Sequence, residues 1–161
     1  MDKTTQDTIN RFKKIGKTKL INGSILNPQS GELGLILSLA NMAGKADNPL
    51  LPLFDKKWRK VREDVRGWYV NKTGEYKSGA INRLAVQSDV WVIHMLCQDE
   101  ELKTDVKGLK ECLKKVCAMA KYEKGGVHVS TLLTDSIPEL ADLLTEMLVN
   151  EGVSVYFYKE P

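Results

Sequence analysis

The chain has 161 residues, 42% of them hydrophobic and 28% charged, with a net charge of +3. That is enough for one sizeable core, and the mild positive balance is far short of the clustered basicity of a dedicated nucleic-acid binder. The apolar runs reach about eight residues, well below the ~20 that a membrane-crossing helix needs, and the N-terminal MDKTTQDTINRFKK has no signal-peptide core.

Along the chain, LINGSIL (20–26) is a short β-prone piece closed by Asn27-Pro28, and QSGEL is a turn. Leu33 to Ala40 is almost continuously apolar, the pattern of a strand buried on both faces. NMAGKADNP (41–49) is a polar turn. After Pro52 the spacing of Phe54, Trp58, Val61, Val65 and Trp68 predicts one amphipathic helix over 50–69. NKTGEYKSG is a loop, and INRLAVQSDVWVIHMLC gives two strands that turn at Ser88-Asp89. From Asp105 to Lys121 the stripe Leu109, Cys112, Leu113, Val116, Cys117, Ala120 predicts a second helix, and VHVS a short strand after Gly125-Gly126. Ser136 and Glu139 have capping-box spacing ahead of a third helix, whose inner stripe is Leu140, Leu143, Leu144, Met147 and Leu148. VSVYFY closes the chain as a strand. The order β-β-α-β-β-α-β-α-β implies an α/β protein: a three-layer α/β/α domain on a mixed sheet, covering 1–161, with 1–16 a flexible or helical N-terminal extension. Ligands in such sheets bind beyond the carboxyl ends of strands, here at NMAGKADNP and at STLLTDSIP (130–138).

Few side chains announce chemistry. His94 and His128 lie in strands without a partner at metal-ligand spacing and read as hydrogen-bonded structural imidazoles. Cys112 and Cys117 belong to a core stripe, and Tyr156 and Tyr158 face one side of a strand, where core packing is the favoured role. Asn41 suits either a ribose contact or a turn cap, and Gln98 and Asp99 suit a solvated loop. Trp58 and Trp68 among basic residues could meet nucleic acid, but the interleaved Glu63 and Asp64 favour an amphipathic cover helix. The cysteine count is three, without a Cys-x-x-Cys pair, so reduced thiols and a cytoplasmic location are expected. No metal, cofactor or membrane partner is implied.

The pieces INGSIL, LILSLANMAG, KWRKVREDVRGWY, VWVIHMLCQD, GLKECLKKVCAMA with VHVS, and GVSVYFY, in this order over Leu20 to Tyr158, resemble the macro domain family. That family consists of ADP-ribose-binding modules of three-layer α/β/α fold, and the resemblance is to the branch that includes ADP-ribose 1''-phosphate phosphatases and ADP-ribosyl-ester hydrolases. It implies ligand contacts from Ser24, Asn41, Gly44, Lys45, Ser130, Thr131, Thr134 and Ser136. Ser24 stands where the family has an acid for the adenine amino group. Asn41 and Gly44 match the family's Asn and first Gly, but Lys45-Ala46-Asp47-Asn48-Pro49 replaces the glycine-rich stretch. In the second loop both glycines of Pro-x-x-Gly-x-Gly are gone. Glycines let the backbone approach a diphosphate, so weakened pyrophosphate binding is expected. Asp135 and Ser136 are expected to precede the third helix and to occupy its free amides. Three functions follow: a module binding ADP-ribose or a related nucleotide, a non-enzymatic fold used for protein or nucleic-acid contacts, and a hydrolase of an ADP-ribose phosphate or ester. No catalytic residue is assigned.

Overall fold

A computed structural model describes residues 15–72 and 75–161. Six strands, β1 (Thr18–Asn22), β2 (Gly34–Asn41), β3 (Ile81–Gln87), β4 (Val90–Gln98), β5 (Gly126–Ser130) and β6 (Val155–Lys159), form one sheet in the order β1-β6-β5-β2-β4-β3. All neighbours are parallel except β3, which pairs antiparallel with β4. Every residue of β2 and β5 is buried, as strands sandwiched between helix layers require. The helices are α1 (Leu51–Asp55), α2 (Lys60–Asn71), α3 (Val106–Glu123), α4 (Thr131–Ser136) and α5 (Leu140–Met147), and with the mixed sheet they make the expected three-layer α/β/α architecture. The expected N-terminal extension lies outside the described residues apart from Ile15 and Gly16, and the Gly16 amide donates to Val149 O at 2.9 Å.

The stripe on α3 behaves as its spacing requires: Leu109, Cys112, Leu113, Val116, Cys117 and Ala120 are all buried. Leu140, Leu143, Leu144 and Leu148 are buried likewise. Two expectations are corrected. The helix expected over 50–69 is two helices with a corner at 56–59. Lys57 fixes that corner, its ammonium donating to Leu26 O at 2.8 Å and Asn27 Oδ1 at 3.0 Å. The corner also seats both Phe54 and Trp58 in the core, rings 6.3 Å apart. The second correction concerns the capping box. Ser136 is the last residue of α4, its hydroxyl donating to Leu132 O at 2.8 Å, and α5 begins after Glu139 with no side-chain cap.

Polar residues inside the central strands pair with one another, with one buried atom, His94 Nε2, left without a partner among the described residues. Gln29 N–H donates to Tyr158 Oη at 2.7 Å, and the same hydroxyl is hydrogen-bonded to His128 Nδ1 at 2.7 Å. The other ring nitrogen of His128, Nε2, faces Ser30 Oγ at 3.3 Å. Ser38 and His94 are register partners on β2 and β4, with Nδ1 to Oγ 3.2 Å. Both imidazoles are fully buried and each has a side-chain partner at Nδ1.

Candidate functional site

Because β1, β6, β5 and β2 run parallel, their carboxyl ends share one edge, which collects Ser24, the 41–50 loop and Ser130. From β1 to β2 that edge spans three strand spacings, roughly 14 Å. Successive connections leave in opposite directions between β5 and β2, the kind of switch point where open α/β sheets bind ligands. A bulge shifts the register of β2 and β4 between Ala40 and Asn41, so the Met42 amide reaches Gln98 O at 2.9 Å and the loop leaves the sheet there.

The 41–50 loop is closed by its own side chains. Asn41 clamps the Lys45 backbone at both ends, Nδ2 donating to Lys45 O at 2.8 Å and Oδ1 accepting from Lys45 N at 3.0 Å. Gly44 has φ +67°, and a Cβ there would lie 2.2 Å from Tyr69 Cδ1. The glycine is therefore required by Tyr69 and by the left-handed backbone. Tyr76 donates its hydroxyl to Asn41 O at 2.6 Å, and burial pushes its pKa up to about 12, so it stays a donor. Tyr69 and Tyr76 are held in turn by the Lys72 ammonium, 3.7 and 4.4 Å from their ring centroids. Asn48, buried, donates to Ser38 Oγ and to Leu39 O and accepts from the Leu50 amide at 2.9 Å. It is the keystone of the loop.

Between this loop and α2 lies a cavity of about 100 Å³. Leu39, Leu51 and Val65 are its larger apolar lining residues, and Asn41, Gly44, Lys45, Asn48, Arg62, Arg66 and Tyr76 also border it. Arg62 is neutralised: its guanidinium grips Asp55 with Nη2 to Oδ2 at 2.8 Å, a hydrogen bond that holds the Asp55 carboxyl below the usual carboxylate range. Arg66 has no ion pair among the described residues, and Lys45 is exposed beside it. The rim is therefore positive.

The structure places Asn41, Gly44 and Lys45 together on this cavity, while Ser24, Ser130, Thr131, Thr134 and Ser136 are not among its lining residues. Ser24 Oγ accepts from the Leu26 amide at 3.1 Å in a local turn, and the amide between them, Ile25 N–H, donates to Glu160 Oε1 at 2.7 Å. The second loop is not a loop. β5 ends at Ser130 and α4 begins at Thr131, with Ser130 Oγ capping the Leu132 amide at 3.2 Å. Thr134 and Ser136 bond back to carbonyls within α4, to Thr131 O and Leu132 O. Asp135 and Ser136 do precede α5, but as the last residues of α4, and α5 has no side-chain cap, so the expectation that they occupy its amides is corrected; Ser130 caps α4.

Sequence reasoning missed Asn48, Arg62, Arg66 and Tyr76. The signals were an Asn-Pro pair closing the polar turn, where an Asx turn forms, and Arg62, Val65 and Arg66 at three- and four-residue steps on one helix face. Gln98 and Asp99 serve their own loop: the Asp99 carboxylate accepts from the Glu101 and Lys103 amides at 2.9 and 3.0 Å. Trp58 and Trp68 are buried, which removes them as stacking platforms for bases. Among the described residues no group of three His, Cys, Asp or Glu could hold a metal, and no helix is long and apolar enough to cross a membrane.

No protein-family model and no curated protein matches the chain. Solved structures do. A macrodomain protein from Streptomyces coelicolor superposes with a TM-score of 0.78 at 18% identity, over 88% of this chain and 98% of that one. The fold is a macrodomain fold. A Bacteroides thetaiotaomicron protein of unknown function superposes with a TM-score of 0.79 at 20% identity, over 89% of this chain and 98% of that one. Thermosipho africanus DarTG, solved in complex with ADP-ribose, has a TM-score of 0.65 at 13% identity, over 89% of this chain and 41% of that one. The cavity described above thus sits at the carboxyl end of β2 of a macrodomain fold.

Proposed function

We propose that the protein is a binding module for a nucleotide of the ADP-ribose class, engaged weakly and without hydrolysis. The observation that carries this reading is the cavity at the switch point, bordered by Asn41, Gly44 and Lys45 with the free Arg66 guanidinium at its rim. Apolar walls with a few convergent polar groups are what a small-ligand site needs, and a cation at the mouth suits a phosphate. The macrodomain fold, shared with a protein solved in complex with ADP-ribose, supports the same ligand class. Weak binding follows from the second loop, where Ser130 and the α4 backbone leave no open cradle for a diphosphate. Three free, buried thiols suit a reducing compartment, and we place the protein in the cytoplasm.

That same filled second loop favours one alternative, a non-enzymatic macrodomain fold that contacts a protein or nucleic acid and has given up its nucleotide. Titration calorimetry with ADP-ribose and AMP on wild type, Lys45→Ala and Arg66→Ala separates the two. Binding in wild type that both variants weaken several-fold supports the nucleotide module. Flat traces for every protein up to millimolar ligand would leave the alternative.

A further inference from the structure

Helix α2 carries charge of opposite sign on its two flanks. Arg62 and Arg66 border the cavity beside the 41–50 loop, whereas Glu63, Asp64 and Asn71 line a separate groove of about 460 Å³ shared with Asn82 and Leu84 of β3. Glu63 and Asp64 outweigh the one cation that lines this groove, Lys60. Lys60 stands four residues before Asp64, the spacing of a helical ion pair. Its ammonium instead donates to Ala85 O at 3.0 Å and makes no ion pair with Asp64.

Asp64 lacks donors. Its side chain is 30% exposed, so a ligand in the groove reaches it, while partial burial pushes its carboxyl pKa up. A carboxylate has about four lone-pair sites, and among the described residues only Asn82 donates to this one, Nδ2 to Oδ2 at 2.9 Å. The fully buried His94 points Nε2 at the same oxygen from β4 but stops at 3.8 Å, and that nitrogen has no hydrogen-bond partner. Either tautomer leaves the carboxylate unsatisfied. A protonated Nε2 is too far to bond, and a bare one sets a lone pair against an anion.

We infer that this groove is a second ligand site, one that takes an organic cation with N–H donors, an ammonium or guanidinium group held by Asp64 and Glu63. Such a cation supplies what Asp64 lacks, charge-assisted N–H bonds to its open lone pairs. Trp68 and Leu84, which line the same groove, give the ligand's methylenes an apolar wall. A metal ion is a poorer fit, because no three His, Cys, Asp or Glu converge among the described residues. The site is independent of the nucleotide cavity on the other flank of α2, and neither reading needs the other.

The chain has two histidines, and only His94 lies against Asp64, so its imidazole signals in NMR spectra report on this groove while His128 serves as the internal control. The probes are agmatine, N-acetylarginine amide and tetramethylammonium, which has no N–H, each at the same ionic strength. Agmatine or N-acetylarginine amide should shift the His94 signals saturably and leave those of His128 in place. A response to both identifies a guanidinium that a protein side chain can present, and a response to agmatine alone identifies a free small cation. Asp64→Asn should weaken binding at least tenfold. Lys60→Gln, at an exposed position, removes the competing cation and should tighten it several-fold. Should Asp64→Asn fail to fold, the Lys60→Gln and tetramethylammonium comparisons still decide. Equal shifts with tetramethylammonium would overturn the inference, as would His94 signals that stay fixed with every probe at tens of millimolar.

Discussion

Gly44 meets two demands that exclude any side chain: a left-handed backbone at φ +67° and the Tyr69 ring where its Cβ would be. Left-handed geometry costs an ordinary L-residue about 1–2 kcal/mol, and overpacking costs about 1–3 kcal/mol more. Gly44→Ala should therefore destabilise the protein by about 2–4 kcal/mol in urea unfolding. A loss under half a kcal/mol would mean that Tyr69 swings away freely. Asn41 and Asn48 illustrate the neighbouring principle. Each is a buried amide whose partners are backbone groups of its own loop or groups of the adjoining strand. The loop is therefore shaped before any ligand arrives. His94 is the one buried side chain among the described residues with an unpartnered polar atom: its Nε2 faces the Asp64 carboxylate at 3.8 Å, too far for a hydrogen bond. Asp64, raised by burial, is held by Asn82 at 2.9 Å.

Helix α3 is the firmest element, because its sequence and its packing agree over the whole stripe. Leu113 is fully buried, so Leu113→Ala should cost about 2–5 kcal/mol, read from the shift in the denaturation midpoint. A change below half a kcal/mol would place the stripe at the surface and contradict the architecture. The α1–α2 pair shows the opposite case. Its apolar spacing continues smoothly through the corner, and only the reach of Lys57 to the 26–27 turn reveals the break. In α4 the short TLLTDS segment (131–136) follows β5 directly, so the chain spends its loop residues on a helix turn: Ser130 becomes its cap, and the Thr134 and Ser136 hydroxyls bond back to its carbonyls.

At the scale of the molecule, the two buried imidazoles set the acid limb of stability. Burial lowers both His94 and His128 from 6.5 to about 4. Between those values the unfolded chain binds protons that the folded chain refuses, so stability falls as pH drops through the window from about 6.5 to about 4. At 1.36 kcal/mol per pH unit each imidazole contributes up to about 3 kcal/mol of that loss. Asp64, whose carboxyl is raised above 3.8 by burial, acts in the opposite sense near the acid end. Urea midpoints at pH 7.5, 6 and 5 should decline in that order; equal midpoints at 7.5 and 5 would show that the imidazoles titrate normally in the folded protein.

The layered architecture was legible in the chain alone. Apolar runs over β2 and β4 fit strands buried on both faces, and a six-residue stripe on α3 fits a helix that covers such a sheet, so element order led to the α/β/α fold. It also pointed to the edge where the site lies, because parallel strands bring their carboxyl ends together. What the tertiary structure decided was the state of that site. Whether Asn41 contacts a ribose or its own loop, whether Gly44 serves a ligand or Tyr69, and whether Arg62 or Arg66 is free for an anion depend on partners 4 to 35 residues away in sequence. Periodicity reports which face of an element is apolar and carries no record of which distant group has already satisfied a polar one. That is settled by packing alone.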